Sequence, residues 1–124
     1  MTPRAGAIDV LVVGLGPAGA SAAAAAAAGA RVLAIDRKRQ AGVPVQCAEL
    51  VPSLMVQSLP WIAAHAHQSV TGMRTFIEDA APELTDPFPG LMIDRASFDA
   101  ALVDEARAAG AGIGLGIALR SLGT

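Results

Sequence analysis

Three glycines and one acid carry the chemistry most readily read from this chain. Val10-Leu11-Val12-Val13 runs into Gly14-Leu15-Gly16-Pro17-Ala18-Gly19, and Asp36 closes a second apolar run, Arg31-Val32-Leu33-Ala34-Ile35. A strand turning through G-x-G-x-x-G into a helix, then a second strand ending in an acid, is the pattern of a dinucleotide-binding βαβ unit. Gly14 permits the tight turn, Gly16 lets the backbone approach a pyrophosphate, and Gly19 lets the helix pack closely on the strand. Pro17 suits the first helical turn, where its missing N–H costs nothing. The helix N-terminus then offers unpaired N–H groups and a positive dipole end to phosphates. The Asp36 carboxylate can accept hydrogen bonds from both hydroxyls of an adenosine ribose. It would repel a 2′-phosphate, which argues against NADP. Arg37-Lys38-Arg39 follows as a short solvated turn, with Arg37 placed to face phosphates.

The elements that must position these residues follow from the apolar pattern. Strands are expected at 8–13 and 31–35, and a helix at 18–28 with Gly29 as its stop. The alanine run of that helix is a packing device, since small side chains let it lie close to a sheet. A competing reading treats the uncharged stretch from Val10 to Ala30 as a membrane span or secretion signal. Alanine and glycine dominate its second half, Asp9 stands at its entry, and Pro17 interrupts it. Its β-branched residues are also confined to the two strands, as a strand–helix–strand unit requires.

Residues 1–7 are expected as a frayed tail, and 37–90 as a loop-rich insertion with one helical turn near 53–59. Within the insertion, 68–78 has the Val, Thr, Phe and Ile of a strand, irregular at Thr71-Gly72, and 80–89 is a proline-rich loop. A short strand at 91–93 precedes Asp94, a candidate N-cap, and an amphipathic helix at 96–109. A final strand is expected at 112–119. Its glycines form a GxGxG-like string, but no helix follows, so the string is given no nucleotide role. The fold class is therefore α/β: a Rossmann-like βαβ unit, an insertion, then a further helix and strand.

Composition narrows the function classes. The chain of 124 residues is 53% apolar and 16% charged, with a net charge of −2. Its apolar content is mainly Ala, Val, Leu and Ile, which suits a parallel sheet covered by alanine-rich helices. No basic run is long enough for nucleic acid, and no transmembrane segment is expected. One cysteine rules out an internal disulfide and fits a reducing compartment, so a cytoplasmic location is expected. His65 and His67 lack the ligand spacing of a closed metal site and read as ordinary surface residues. Trp61 and Met55 read as lining a core or apolar cleft.

Three segments together resemble the geranylgeranyl reductase family of flavoproteins, within the wider p-hydroxybenzoate-hydroxylase-like group. They are the Gly14–Gly19 turn with Asp36, the segment Gly42-Val43-Pro44-Val45-Gln46-Cys47-Ala48-Glu49, and the helix start Ile93-Asp94-Arg95-Ala96-Ser97-Phe98-Asp99-Ala100-Ala101-Leu102. The resemblance covers essentially the whole chain and implies FAD bound in an extended pose. It places Ala18 and the glycine turn on the pyrophosphate, Asp36 on the adenosine ribose, the Cys47-Ala48 backbone near the flavin, and Arg95 on the cofactor. A guanidinium fork suits pyrophosphate oxygens, and a cation at a helix N-terminus is electrostatically poor unless an anion is present. Ala48 stands where the family usually has glycine, which implies a less close backbone approach to the flavin.

Cys47 reads either as a small buried hydrophobe or as a thiol lining flavin or substrate, and no catalytic residue is assigned. Family segments beyond this length, including an Asp-Gly segment, a β-sheet substrate domain and a Gly-Asp-Ala segment, are not found. The expectation is an N-terminal FAD-binding domain over 1–124, the truncated front third of an enzyme and inactive alone. The implied reaction is reduction of a carbon–carbon double bond in an isoprenoid small-molecule or lipid substrate, which would bring the protein to membrane surfaces. NAD(P)H and a ferredoxin-like donor both stay open as electron sources. Two alternatives are a flavin monooxygenase of the same fold and a non-catalytic nucleotide-binding fragment.

Overall fold

The structure is a computed structural model describing residues 6–123, so most of the expected tail lies outside the described residues. The elements are β1 (Val10–Val13), α1 (Pro17–Ala27), β2 (Val32–Asp36), β3 (Leu50–Pro52), α2 (Ser53–Ser58), a 3₁₀ turn (Pro60–His65), β4 (Ala66–Val70), β5 (Met73–Thr75), β6 (Glu83–Thr85), β7 (Gly90–Ile93), α3 (Arg95–Ala108) and β8 (Gly112–Leu115). They fall into two compact units. One comprises the chain up to Val45 and from Asp99 onward, and the other is Gln46–Phe98, the division falling inside α3.

The first unit is a parallel sheet in the order β1-β2-β8. Val10 pairs with Val32 and Val13 with Ile35, while Leu33 pairs with Gly112 and Asp36 with Leu115. Parallel strands need a crossover, and α1 supplies it between β1 and β2. Alanine is the best helix former and the smallest side chain that still packs. Ala20 and Ala23 of α1 are fully buried, as is Ala34 of β2, beside a core that includes Val32, Ile35, Leu102, Val103 and Ala106. Below the sheet's first pair, the Arg31 guanidinium forks onto Asp9, with Nε to Oδ2 at 2.9 Å and an Nη to Oδ1 at 2.8 Å. The span reading fails here: α1 is an 11-residue helix between strands, and no described helix is long and apolar enough to cross a membrane.

The second unit is antiparallel. Its sheet runs β3-β7-β4, with a separate β5-β6 pair, around buried Val51, Ile62, Ile93 and Phe98. The stretch expected to be loop-rich thus holds β3 to β6. The strand expected over 68–78 is divided: β4 pairs with β7 and β5 with β6, with Thr71-Gly72 between them. The loop expected over 80–89 is interrupted by β6. Three-residue strands are too short to show a period of two, and they exist through partners distant in sequence. At the far end, β8 stops at Leu115 rather than continuing to residue 119, because Gly116 turns the chain at φ +72°.

Candidate functional site

The glycine turn has the backbone geometry its residue types imply. Gly14 sits at φ +99°, a conformation that side chains other than glycine's rarely adopt. A Cβ on Gly19 would stand 1.9 Å from the Gly14 carbonyl oxygen, so any side chain there would drive α1 off the turn. A Cβ on Gly16 would meet nothing within 4 Å, which leaves its backbone open to a ligand. Pro17 occupies the first position of α1 and Gly16 its N-cap, with no side chain capping the turn. The first-turn N–H groups, those of Ala18 and Gly19 among them, therefore need an acceptor from outside the side chains of this helix.

Asp36, at the end of β2, reaches back to that turn. Its Oδ2 accepts the Leu15 N–H at 2.7 Å and its Oδ1 accepts the Lys38 N–H at 2.8 Å. Partial burial pushes the carboxyl pKa up. The two backbone N–H bonds, with the Lys38 and Arg37 charges, outweigh it and hold the group below its ordinary value. Gly14, Asp36 and Arg37 line an open pocket of about 340 Å³ with Val13, Ile35, Lys38, Ile117, Ala118 and Leu119.

The last three of these lining residues escaped the sequence reading, which took them as the end of a strand. Beyond Gly116 the chain stays beside the segment following β2: the Gly116 N–H donates to the Lys38 carbonyl at 2.8 Å and the Ile117 N–H to the Asp36 carbonyl at 2.9 Å. Ile117 can fold back because Gly114 has no Cβ, which would lie 2.7 Å from Ile117 Cδ1. The glycine string was the available signal, as a device for backbone approach to β2.

Cys47, Ala48 and Arg95 belong to the second unit, so the candidate residues are divided between the two units. Cys47 and Ala48 are exposed, and the Cys47 sulfur accepts the Glu49 N–H at 3.4 Å. Cys47 is thus not the small buried hydrophobe of the first alternative. Arg95 opens α3 with its guanidinium carbon 5.8 Å from the Phe98 ring centroid. Asp94 caps that helix through Oδ1 to the Ser97 N–H at 3.1 Å. Phe98 is buried and stacks on Trp61, with centroids 5.2 Å apart and planes within 7°. Trp61 itself is 41% exposed, and Met55 is 50% exposed rather than enclosed in a core. His65 is not an ordinary surface residue: its Nδ1 lies 3.0 Å from Ser97 Oγ and its ring meets Phe98 edge-on. Among the described residues, no cluster of three or more His, Cys, Asp or Glu could hold a metal ion.

No family model matches the chain. It is 37% identical to digeranylgeranylglycerophospholipid reductase 1 of Methanopyrus kandleri over 114 residues, covering 86% of this chain and 29% of that protein. The geranylgeranyl bacteriochlorophyll reductase-like protein of Thermoplasma acidophilum superposes with a TM-score of 0.71 at 29% identity, over 88% of this chain and 30% of that one. The myxobacterial chondrochloren halogenase, an FAD-dependent halogenase variant, shares the fold with a TM-score of 0.62 at 20% identity, over 87% of this chain and 28% of that one. The α/β architecture is that of the p-hydroxybenzoate-hydroxylase-like flavoproteins. The chain spans less than a third of the length of these relatives. Within that span it is similar to geranylgeranyl reductases.

Proposed function

We propose that this chain is the N-terminal FAD-binding part, over 1–124, of a flavin-dependent reductase acting on carbon–carbon double bonds of an isoprenoid lipid. The observation that carries the reading is the meeting of an uncapped glycine turn and the Asp36 carboxylate beside one open pocket. The residues fit the adenosine diphosphate end of FAD. Gly16 leaves room for phosphate oxygens, and the first-turn N–H groups of Ala18 and Gly19 suit an anion. Each Asp36 oxygen keeps a lone pair after its backbone bond, enough for the two ribose hydroxyls. Arg37 adds positive charge beside the pocket, whose apolar side, Val13, Ile117 and Leu119, suits a base.

In this reading Arg95 takes pyrophosphate oxygens or the neighbouring ribose, and the Cys47-Ala48 backbone lies along the flavin. When bound, FAD in its reduced form supplies the hydride for one alkene carbon, the other taking a proton. The residues of this chain bind and orient the cofactor, and the apolar substrate cleft is to be supplied by sequence beyond the matched span. The insertion at 37–90 carries the cysteine segment. The segment and the reductase names of the relatives favour reduction over oxygenation. In this reading the single cysteine fits a cytoplasmic location, a lipid substrate would bring the protein to membrane surfaces, and NAD(P)H or a ferredoxin-like protein would reduce the flavin. This chain alone is expected to be inactive.

Calorimetric titration of the full chain with ADP, FAD and 2′-phospho-ADP tests the proposal. ADP and FAD should bind, and the 2′-phosphate should weaken binding. Equal affinity for ADP and its 2′-phosphate would remove Asp36 from the ribose.

A further inference from the structure

We infer that Asp36 is a positioning residue for the glycine turn in addition to its proposed ribose contact. The turn has a conformational problem of its own making. Gly14 and Gly16 flank Leu15, and a Cβ at either glycine would meet no atom within 4 Å. The Gly14 carbonyl lies against Gly19 and the Gly16 carbonyl accepts the Ala20 N–H at 2.9 Å, which leaves the Leu15 peptide between them to be fixed. Glycine also has the largest conformational freedom to lose on ordering. Three further contacts fix the part of the turn around Leu15. The Gly14 N–H donates to the Ile35 carbonyl at 2.8 Å and extends the β1–β2 pairing by one residue. The Leu15 side chain is 2% exposed and anchors in the core. The Leu15 N–H donates to Asp36 Oδ2 at 2.7 Å, a charge-assisted bond across the top of the sheet.

The third contact depends on the acid being fixed from its other side. The Lys38 N–H holds Oδ1 at 2.8 Å, so the carboxylate is clamped between its own strand end and the turn. Buried Leu15 and clamped Asp36 thereby fix the peptide between the two glycines before any nucleotide arrives. Ordering the turn is then not charged to the binding step, which is preorganisation in the ordinary sense. The acid acts on the phosphate side of the site through the backbone, although it is itself negative.

That opposition of signs gives the test, which for its binding arm rests on the pyrophosphate reading above. If Asp36 mattered to phosphates by charge alone, Asp36→Ala would tighten the binding of inorganic pyrophosphate, which has no ribose for the acid to hold. Positioning requires the reverse, at least a threefold loss; unchanged or tighter binding overturns that role.

The clamp is tested without any ligand. In the full wild-type chain, NMR should show scalar coupling across the Leu15 N–H to the Asp36 carboxylate, and its absence overturns the clamp. In Asp36→Ala the Leu15 amide should exchange at least tenfold faster while that of Val32 keeps its rate. Unchanged Leu15 exchange overturns the clamp as well. Asp36→Asn sets an N–H₂ group against one of the two backbone donors and should fall between. Should the wild-type chain bind neither pyrophosphate nor ADP, the nucleotide reading fails and the coupling measurement still decides the clamp. Should it bind ADP but not pyrophosphate, the loss is read on ADP against adenosine in the same variant.

Discussion

The two units differ in what specifies them. In the first, backbone positions decide the structure: Gly19 lies against the Gly14 carbonyl, Gly114 makes room for Ile117, and Asp36 bonds two peptide N–H groups. In the second, side chains do the holding. Phe98 is packed on Trp61 and edge-on to His65, and three of the unit's five strands, β3, β5 and β6, have only three residues. A site built on backbone sterics announces itself through glycine spacing. A scaffold built on aromatic packing does not, because its partners are distant in sequence.

The largest expected effect tests the second half of this comparison. Phe98→Ala removes a buried ring and its stacking partner's support and should cost about 3–5 kcal/mol. Urea denaturation followed by the fluorescence of Trp61, the single tryptophan, reads this directly. A loss below about 1 kcal/mol would mean that the aromatic group does not hold the unit. The matching change in the first unit is Gly19→Ala. Its methyl group would sit 1.9 Å from a backbone oxygen that cannot turn aside, so a loss of about 1–3 kcal/mol or more is expected. ADP affinity should fall with it as α1 is displaced. A stable Gly19→Ala chain with normal ADP binding would break the backbone half of the comparison.

Two smaller effects sharpen it at the level of the site. Asp36→Ala should weaken ADP binding by about 1–3 kcal/mol, the scale of a hydrogen bond to a charged group. Arg95→Lys keeps the charge and loses the planar fork, and FAD affinity should drop by roughly 1 kcal/mol. Equal FAD affinity in the Lys and Arg forms would take Arg95 off the cofactor and leave it as packing on Phe98.

How much was legible follows the same division. Gly14, Gly16, Gly19 and Asp36 could be placed because each answers a steric or electrostatic demand within a βαβ unit whose partners are close in sequence. Asp94 as a helix cap was legible for the same reason, its bond reaching only to Ser97. The Leu15–Asp36 bond was not, since a peptide N–H has no sequence signal. Nor were Ile117–Leu119, which face the pocket because two backbone bonds pin them beside residues 36–38. The three-residue strands and the His65–Ser97 contact depend on long-range packing that no local period encodes.

The smallest expected effect separates two acids within the first unit. The Arg31 side chain, followed by its backbone N–H, holds the exposed Asp9 carboxyl far below the usual range. Against the upward push of burial, Leu15 and Lys38 N–H bonds hold Asp36 below its ordinary value. A carboxyl depressed in the folded state stabilises the fold above its unfolded pKa of about 3.9 and loses that contribution as pH falls through the lower folded value. Acidification below about pH 4 should therefore destabilise the chain, and Asp9→Asn and Asp36→Asn should each flatten the slope. Salt distinguishes them. At about 1 M the screening length falls to about 3 Å, which weakens the exposed Asp9–Arg31 pair but acts much less on short backbone bonds at a part-buried carboxylate. Denaturation midpoints between about pH 2 and 5, at low and high salt, should show the Asp9-dependent slope shrinking more than the Asp36-dependent one. If salt erased both equally, the Lys38 and Arg37 charges would be what depresses Asp36, and its two N–H bonds would be weaker than their lengths imply.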